Sequence, residues 1–177
     1  MPFCGFEDDL SNRILVAYAS RYGSTAEIAQ AIGKVLSDDA TVDVLSMTEV
    51  ADPAVYDAAV VGAPIYSSDW MPEATEWVKS HGPAWKKMRT ACFVVSLRLR
   101  DVTQEIRTVE EAAINVEKVI LNPVSVGLFA GALDYSKLGA IVKLQVQTKG
   151  LPEGDFRDWA AIRSWAAEIK PLLLPEY

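Results

Sequence analysis

Between an apolar run and a helix-like segment lies Ser20-Arg21-Tyr22-Gly23-Ser24-Thr25, and these residue types suit one chemistry. The hydroxyls of Ser20, Ser24 and Thr25, the Arg21 guanidinium and a glycine that lets the backbone approach are what a phosphate monoester needs. A helix start adds unpaired N–H groups with partial positive charge. Ser and Thr also cap helices that bind nothing, so the loop by itself leaves both readings open. It is not a Walker loop, since Gly-x-x-x-x-Gly-Lys is absent, nor a dinucleotide fingerprint, since Gly-x-Gly-x-x-Gly is absent too. Other chemistries have little to draw on. A single histidine, His81, stands beside Gly82 and Pro83 and cannot build a metal cluster or a Ser-His-Asp triad. The two cysteines, Cys4 and Cys92, do not form a Cys-x-x-Cys pair, and no residue stands out as an acid–base catalyst.

The elements that position this loop follow from the rhythm of the chain. Short apolar runs at residues 14–19, 41–46, 57–63, 90–96 and 124–130 alternate with helix-like segments, which implies a parallel sheet covered on both faces. The run at 14–19 reads as a central strand, and the polar–apolar alternation of 41–46 reads as an edge strand. Ile28, Ile32 and Leu36 recur at helical spacing, with Ser24 or Thr25 placed to cap the start. Pro72 opens a second helix containing Trp77 and Val78. From Asp101, the step Ile106, Val109, Ala113, Val116 and Ile120 predicts one amphipathic helix ended by Asn122-Pro123. A last helix starts near Asp155 and buries Trp159, Ile162, Ala166 and Ile169, with Pro171 kinking or ending it. The connection 134–152 exceeds the usual length of about 2 to 6 residues, so a short helix or a flap is expected there.

The segment from Tyr18 to Ala29 resembles the FMN-phosphate loop of flavodoxin-like proteins, and the resemblance extends from Arg13 through essentially the whole chain. Val60 to Tyr66, with Pro64, Ile65, Tyr66 and the following Ser67, is similar to the family's loop along one side of the isoalloxazine ring. Ser96-Leu97-Arg98-Leu99-Arg100-Asp101 matches the loop on the other side. The resemblance implies a doubly wound five-stranded parallel sheet of order 2-1-3-4-5, with helices on both faces and FMN held without a covalent bond. A tail at 1–12 precedes a single domain at 13–177.

Within the family, Phe129 to Tyr135, the lysine-bearing insertion after it and Asp158-Trp159 resemble the flavodoxin-type protoporphyrinogen oxidases, or dehydrogenases. That group implies electrons passed from protoporphyrinogen through the flavin to a quinone-like acceptor. In the second loop the group tends to have a basic residue and a glycine where this sequence has Tyr66 and Ser68. The third loop lacks the aromatic ring that carrier flavodoxins usually stack on the flavin. It offers Arg98 and Arg100, whose charge near the ring would favour anionic reduced flavin, unless both point to solvent. Tyr66 and Trp70 either stack on a flavin or substrate ring or anchor the loop to the core.

Composition bounds the rest. The 177 residues, half of them hydrophobic, suffice for one core without disulfides or metal. With 17 basic and 24 acidic side chains the formal charge is −7, which argues against nucleic acid as a partner. Cysteine usage suits a reducing cytoplasm, the start lacks the order of a signal peptide, and no apolar run approaches the ~20 residues of a membrane span. The segment 134–152 carries Lys137, Lys143 and Lys149 in an otherwise acidic chain, leaving peripheral contact with an anionic partner such as a membrane as an option.

Overall fold

Apolar runs too short for helices must pair with one another, and their length sets the frame of the molecule. A computed structural model describes residues 12–174; Cys4 and, apart from Asn12, the expected tail lie outside the described residues. In chain order the elements are β1 (Arg13–Tyr18), α1 (Ser24–Leu36), β2 (Thr41–Ser46), β3 (Ala58–Tyr66), β4 (Asp69–Trp70), α2 (Pro72–Ser80) and α3 (Gly82–Trp85). They continue with β5 (Arg89–Ser96), α4 (Gln104–Ala112), α5 (Asn115–Leu121), β6 (Val126–Ala130), β7 (Ala132–Leu133), α6 (Ala140–Thr148), β8 (Gly154–Asp155) and α7 (Trp159–Leu173).

The five long strands run in the order β2-β1-β3-β5-β6, every pair parallel. Without the two-residue β4, which folds back antiparallel on β3, this is the doubly wound order expected. β1, β3 and β5 are central and buried nearly throughout, whereas β2 is only partly buried along its length, as its alternation predicts for an edge.

Two cores lie on opposite faces of the sheet. On one, Ile14, Val16, Val60 and Phe93 meet Ile28 and Ile32 of α1 and Ile162, Trp165 and Ile169 of α7. On the other, Leu15, Ala17 and Val61 meet Trp70, Val78 of α2, Trp85 of α3 and Ile114 and Leu121 beside and within α5. Gly62 is required where it stands, because a Cβ there would come within 2.0 Å of the Phe93 ring. None of the helices among the described residues is long and apolar enough to cross a membrane.

Two expectations need correction. The segment after Asp101 forms two helices, and its inward stripe is Glu110, Ile114, Glu117 and Leu121; Val109, Val116 and Val119 face solvent. The helical spacing holds, but the inward face lies one position on from the expected apolar stripe and carries two acids. The Thr103 cap on the Ile106 amide sets where α4 starts, and Ile114 and Leu121 provide the bulk that reaches the core. Pro171 does not end α7, which carries it in its final turn to Leu173, and the buried tryptophan of that helix is Trp165, Trp159 being only partly covered. The segment 134–152 does contain the short helix expected: after a turn at Tyr135–Lys137 comes α6, none of whose residues is buried.

Candidate functional site

Parallel strands deliver their carboxyl ends to one edge, and the order β1-β3-β5 places the three candidate loops side by side there. The first loop begins where the Ala19 amide donates to the Gly62 carbonyl at 3.0 Å, extending the β1–β3 pairing past the strand. Ser20 Oγ then accepts the Gly23 amide at 3.0 Å, so this hydroxyl shapes the turn. Gly23 has φ +97°, a left-handed conformation that glycine adopts without steric cost, and open space where a side chain would sit.

Gly23 is also the residue at which α1 starts, and no side chain caps that helix, which corrects the expected capping by Ser24 or Thr25. Thr103 and Asp158 cap α4 and α7 through their side chains, while α2, α5 and α6 also start without a side-chain cap. The first amides of a thirteen-residue helix are thus left to backbone and solvent, as an anion site requires. Thr25 is 1 % exposed and packs beneath the loop. Tyr22 and Ser24 are partly buried. Arg21 turns toward the neighbouring loop, 3.4 Å from Glu73 and with its guanidinium 5.0 Å from the Tyr66 ring centre.

The second loop is a hairpin. Pro64, Ile65 and Tyr66 remain within β3, and Ser67 and Ser68 make the turn with φ of +54° and +78°. Trp70 is an anchor and takes no part in a ring stack: it is 1 % exposed and its indole N–H donates to the Ala63 carbonyl at 2.7 Å. Tyr66 is half-buried, and burial pushes its hydroxyl up from the ordinary tyrosine value while Arg21 pulls it down.

The third loop is a single turn, Leu97–Arg100, started by Ser96, whose Oγ accepts the Arg98 amide at 3.3 Å. Leu99 is 2 % exposed and its side chain belongs to the base of the turn, which leaves its backbone as what it can offer a ligand. Leu97 is partly exposed. Neither arginine carries an uncompensated charge. Arg98 lies 3.3 Å from Glu110, and Arg100 folds back to Asp101 at 3.2 Å and to the Leu97 carbonyl at 3.3 Å.

Sequence reasoning missed the segment that braces two of these loops, Asp155-Phe156-Arg157. Arg157 ion-pairs with Asp155 and with Glu27 in the first turn of α1, and donates to the Ser24 carbonyl at 3.4 Å. Asp155 raises the guanidinium's proton affinity further, and Arg157 in turn holds the Asp155 carboxyl below its ordinary value. Glu27 would repel a dianion at the helix start, and Arg157 neutralises it. The Phe156 ring centre sits 5.9 Å from the Arg100 guanidinium, so this residue brings the segment to the third loop. An arginine between two aspartates ahead of a helix was the available signal, hidden by reading Asp155 as already helical.

Beside the first loop, a cavity of about 320 Å³ is lined by Ala19, Ser20, Ser46, Met47, Met71 and Trp77. Among the described residues no three His, Cys, Asp or Glu side chains gather as a metal site would need, and the His81 ring is taken by the Trp77 carbonyl at 2.8 Å. Cys92 is fully buried in β5 and its thiol is pushed up to about 12 by burial, which leaves it inert.

The model of the flavodoxin domain family matches residues 15–157. No curated protein matches the chain in sequence. Among solved structures, a flavodoxin from the domain Archaea is 16% identical with a TM-score of 0.54, covering 91% of this chain and 98% of its own. A Fusobacterium nucleatum flavodoxin bound to flavin mononucleotide is 12% identical with a TM-score of 0.57, covering 91% and 98%. An NADH:FMN oxidoreductase in its apo form is 11% identical with a TM-score of 0.60, covering 94% and 92%. At such identities these likenesses show the fold.

Proposed function

The chain belongs to the flavodoxin domain family, and from that premise we propose that it is an FMN-dependent oxidoreductase that takes electrons from a small-molecule donor. The observation that carries the reading is the uncapped start of α1, where Gly23 leaves space against the first helical amides. The donor set fits a phosphate ester: amides at a helix N-terminus, the hydroxyls of Ser20 and Ser24, and Arg157 cancelling the one carboxylate of the first turn. The backbones of Pro64 to Ser67 and Ser96 to Asp101 would flank the ring. Bound there, FMN supplies the electron- and hydride-transfer chemistry. The protein supplies position and charge, and Tyr66, half-buried and held by Arg21, offers an aromatic face to a second planar ring.

The finer reading is a dehydrogenase resembling the flavodoxin-type protoporphyrinogen oxidases, with a quinone-like acceptor. Its support is the insertion after β7, which stands off the core with Ile141 and Leu144 exposed among Lys137, Lys143 and Lys149. Such a segment suits contact with an anionic membrane surface, where a quinone would be met. A second reading, an electron-carrier flavodoxin, is favoured by the compensation of both ring-loop arginines, which removes the bare positive charge that would raise the potential.

An absorbance spectrum of the protein after incubation with FMN, followed by an anaerobic redox titration, separates the readings. The enzyme is expected to bind FMN and reduce in one two-electron step. Two well-resolved one-electron steps with a very low second potential would favour the carrier, and a chain that stays colourless would sink both.

A further inference from the structure

The α4–α5 face turns acids inward and valines outward. Glu110 is 1 % exposed and Glu117 3 %, while Val109, Val116 and Val119 meet solvent. Burying a carboxylate costs several kcal/mol before its partners repay it, and an apolar side chain would pack there at no such cost. Each acid therefore needs a reason for its place. That of Glu117 is local, since it accepts the Thr75 hydroxyl at 2.6 Å and ties α5 to α2. That of Glu110 reaches into the third loop: Oε1 lies 3.3 Å from Arg98 Nη1, and Oε2 is sealed from solvent with no hydrogen-bond partner. The Arg98 side chain is 55 % exposed, so the glutamate is the fixed member of the pair and the arginine the adjustable one.

We propose that Glu110 is a positioning residue for the redox centre, holding Arg98 against α4 and cancelling its charge beside the flavin ring. The inference rests on the FMN reading above. A carboxylate buried behind the ring loop acts through low-dielectric protein and is screened less than a surface charge. It opposes the stabilisation that Arg98 would otherwise give to reduced, anionic flavin.

Anaerobic potentiometry of the FMN-loaded chain tests this. Glu110→Gln should favour reduced over oxidised FMN about tenfold relative to the parent, a rise of about 30 mV for a two-electron couple. Arg98→Gln should shift the potential the other way, and the double variant should return close to the parent. Because Arg98 is mostly exposed, Arg98→Gln decides the matter should Glu110→Gln fail to fold. An unmoved potential in either FMN-loaded single variant, or a double variant far from the parent, overturns the pairing. A parent chain that takes up no FMN overturns the functional reading instead.

Discussion

Arg157 shows how much of the candidate phosphate loop is held by a side chain from outside it. Its partner Glu27 is 130 residues away in the chain, and its hydrogen bond to the Ser24 carbonyl fixes the far side of the turn that Ser20 Oγ closes from within. Arg157→Gln should weaken FMN about tenfold, on the scale of one lost charge-assisted hydrogen bond, and leave riboflavin, which lacks the phosphate, unchanged. Fluorescence-quenching titrations with the two ligands check this, and parallel losses would mean that Arg157 holds the domain and not the anion loop. The residue types at 20–25 were legible from sequence because each has its own donor and acceptor chemistry. What they touch was not: Thr25 packs underneath, Leu99 joins the core, and Trp70 spends its N–H on Ala63.

Among the elements, the β3–β4 hairpin carries visible strain. Ser67 and Ser68 both adopt positive φ, which costs an L-residue about 1 to 2 kcal/mol where glycine pays nothing on that account. Ser68→Gly should raise stability by about 1 kcal/mol, seen as a higher urea midpoint at unchanged slope. A lower midpoint would mean that the Ser68 side chain contributes more than its backbone costs. Helix existence was readable from apolar spacing for α1 and α7 and from Pro72 for α2, whereas the four-residue α3 is too short to show a period. Helix rotation was not readable for α4 and α5, because an apolar stripe and an acid-bearing one fit the same spacing, and Arg98 and Thr75, on other elements, settle which turns inward.

For the molecule as a whole, the excursion between β7 and β8 is separable from the domain. Leu133 pairs with Gly154, so the ends of the segment are already adjacent. Its internal bonds are its own, with the Tyr135 hydroxyl donating to the Leu151 carbonyl and the Tyr135 amide to Glu153. Between Tyr135 and Pro152 it holds three lysines and no acid in a chain of net charge −7. Replacing residues 134–153 by Asn-Gly should keep the melting temperature within about 4 °C and abolish any salt-sensitive binding to phosphatidylglycerol vesicles in a flotation assay. Equal vesicle binding by both chains would remove the membrane role, and a large fall in melting temperature would show that the segment supports the core.

The alternation of apolar runs and helical stripes was enough to determine a parallel sheet with its carboxyl-end loops aligned, since burying backbone and apolar surface together leaves few arrangements. The residue types at 20–25 made one of those loops the candidate for an anion, without excluding that they merely shape a helix start. Tertiary structure alone decided which charges stand bare there and which are cancelled. Glu110 meets Arg98 across two elements and Glu27 meets Arg157 across most of the chain. An electrostatic partner is chosen by distance in space, and neither residue type nor periodicity encodes that distance.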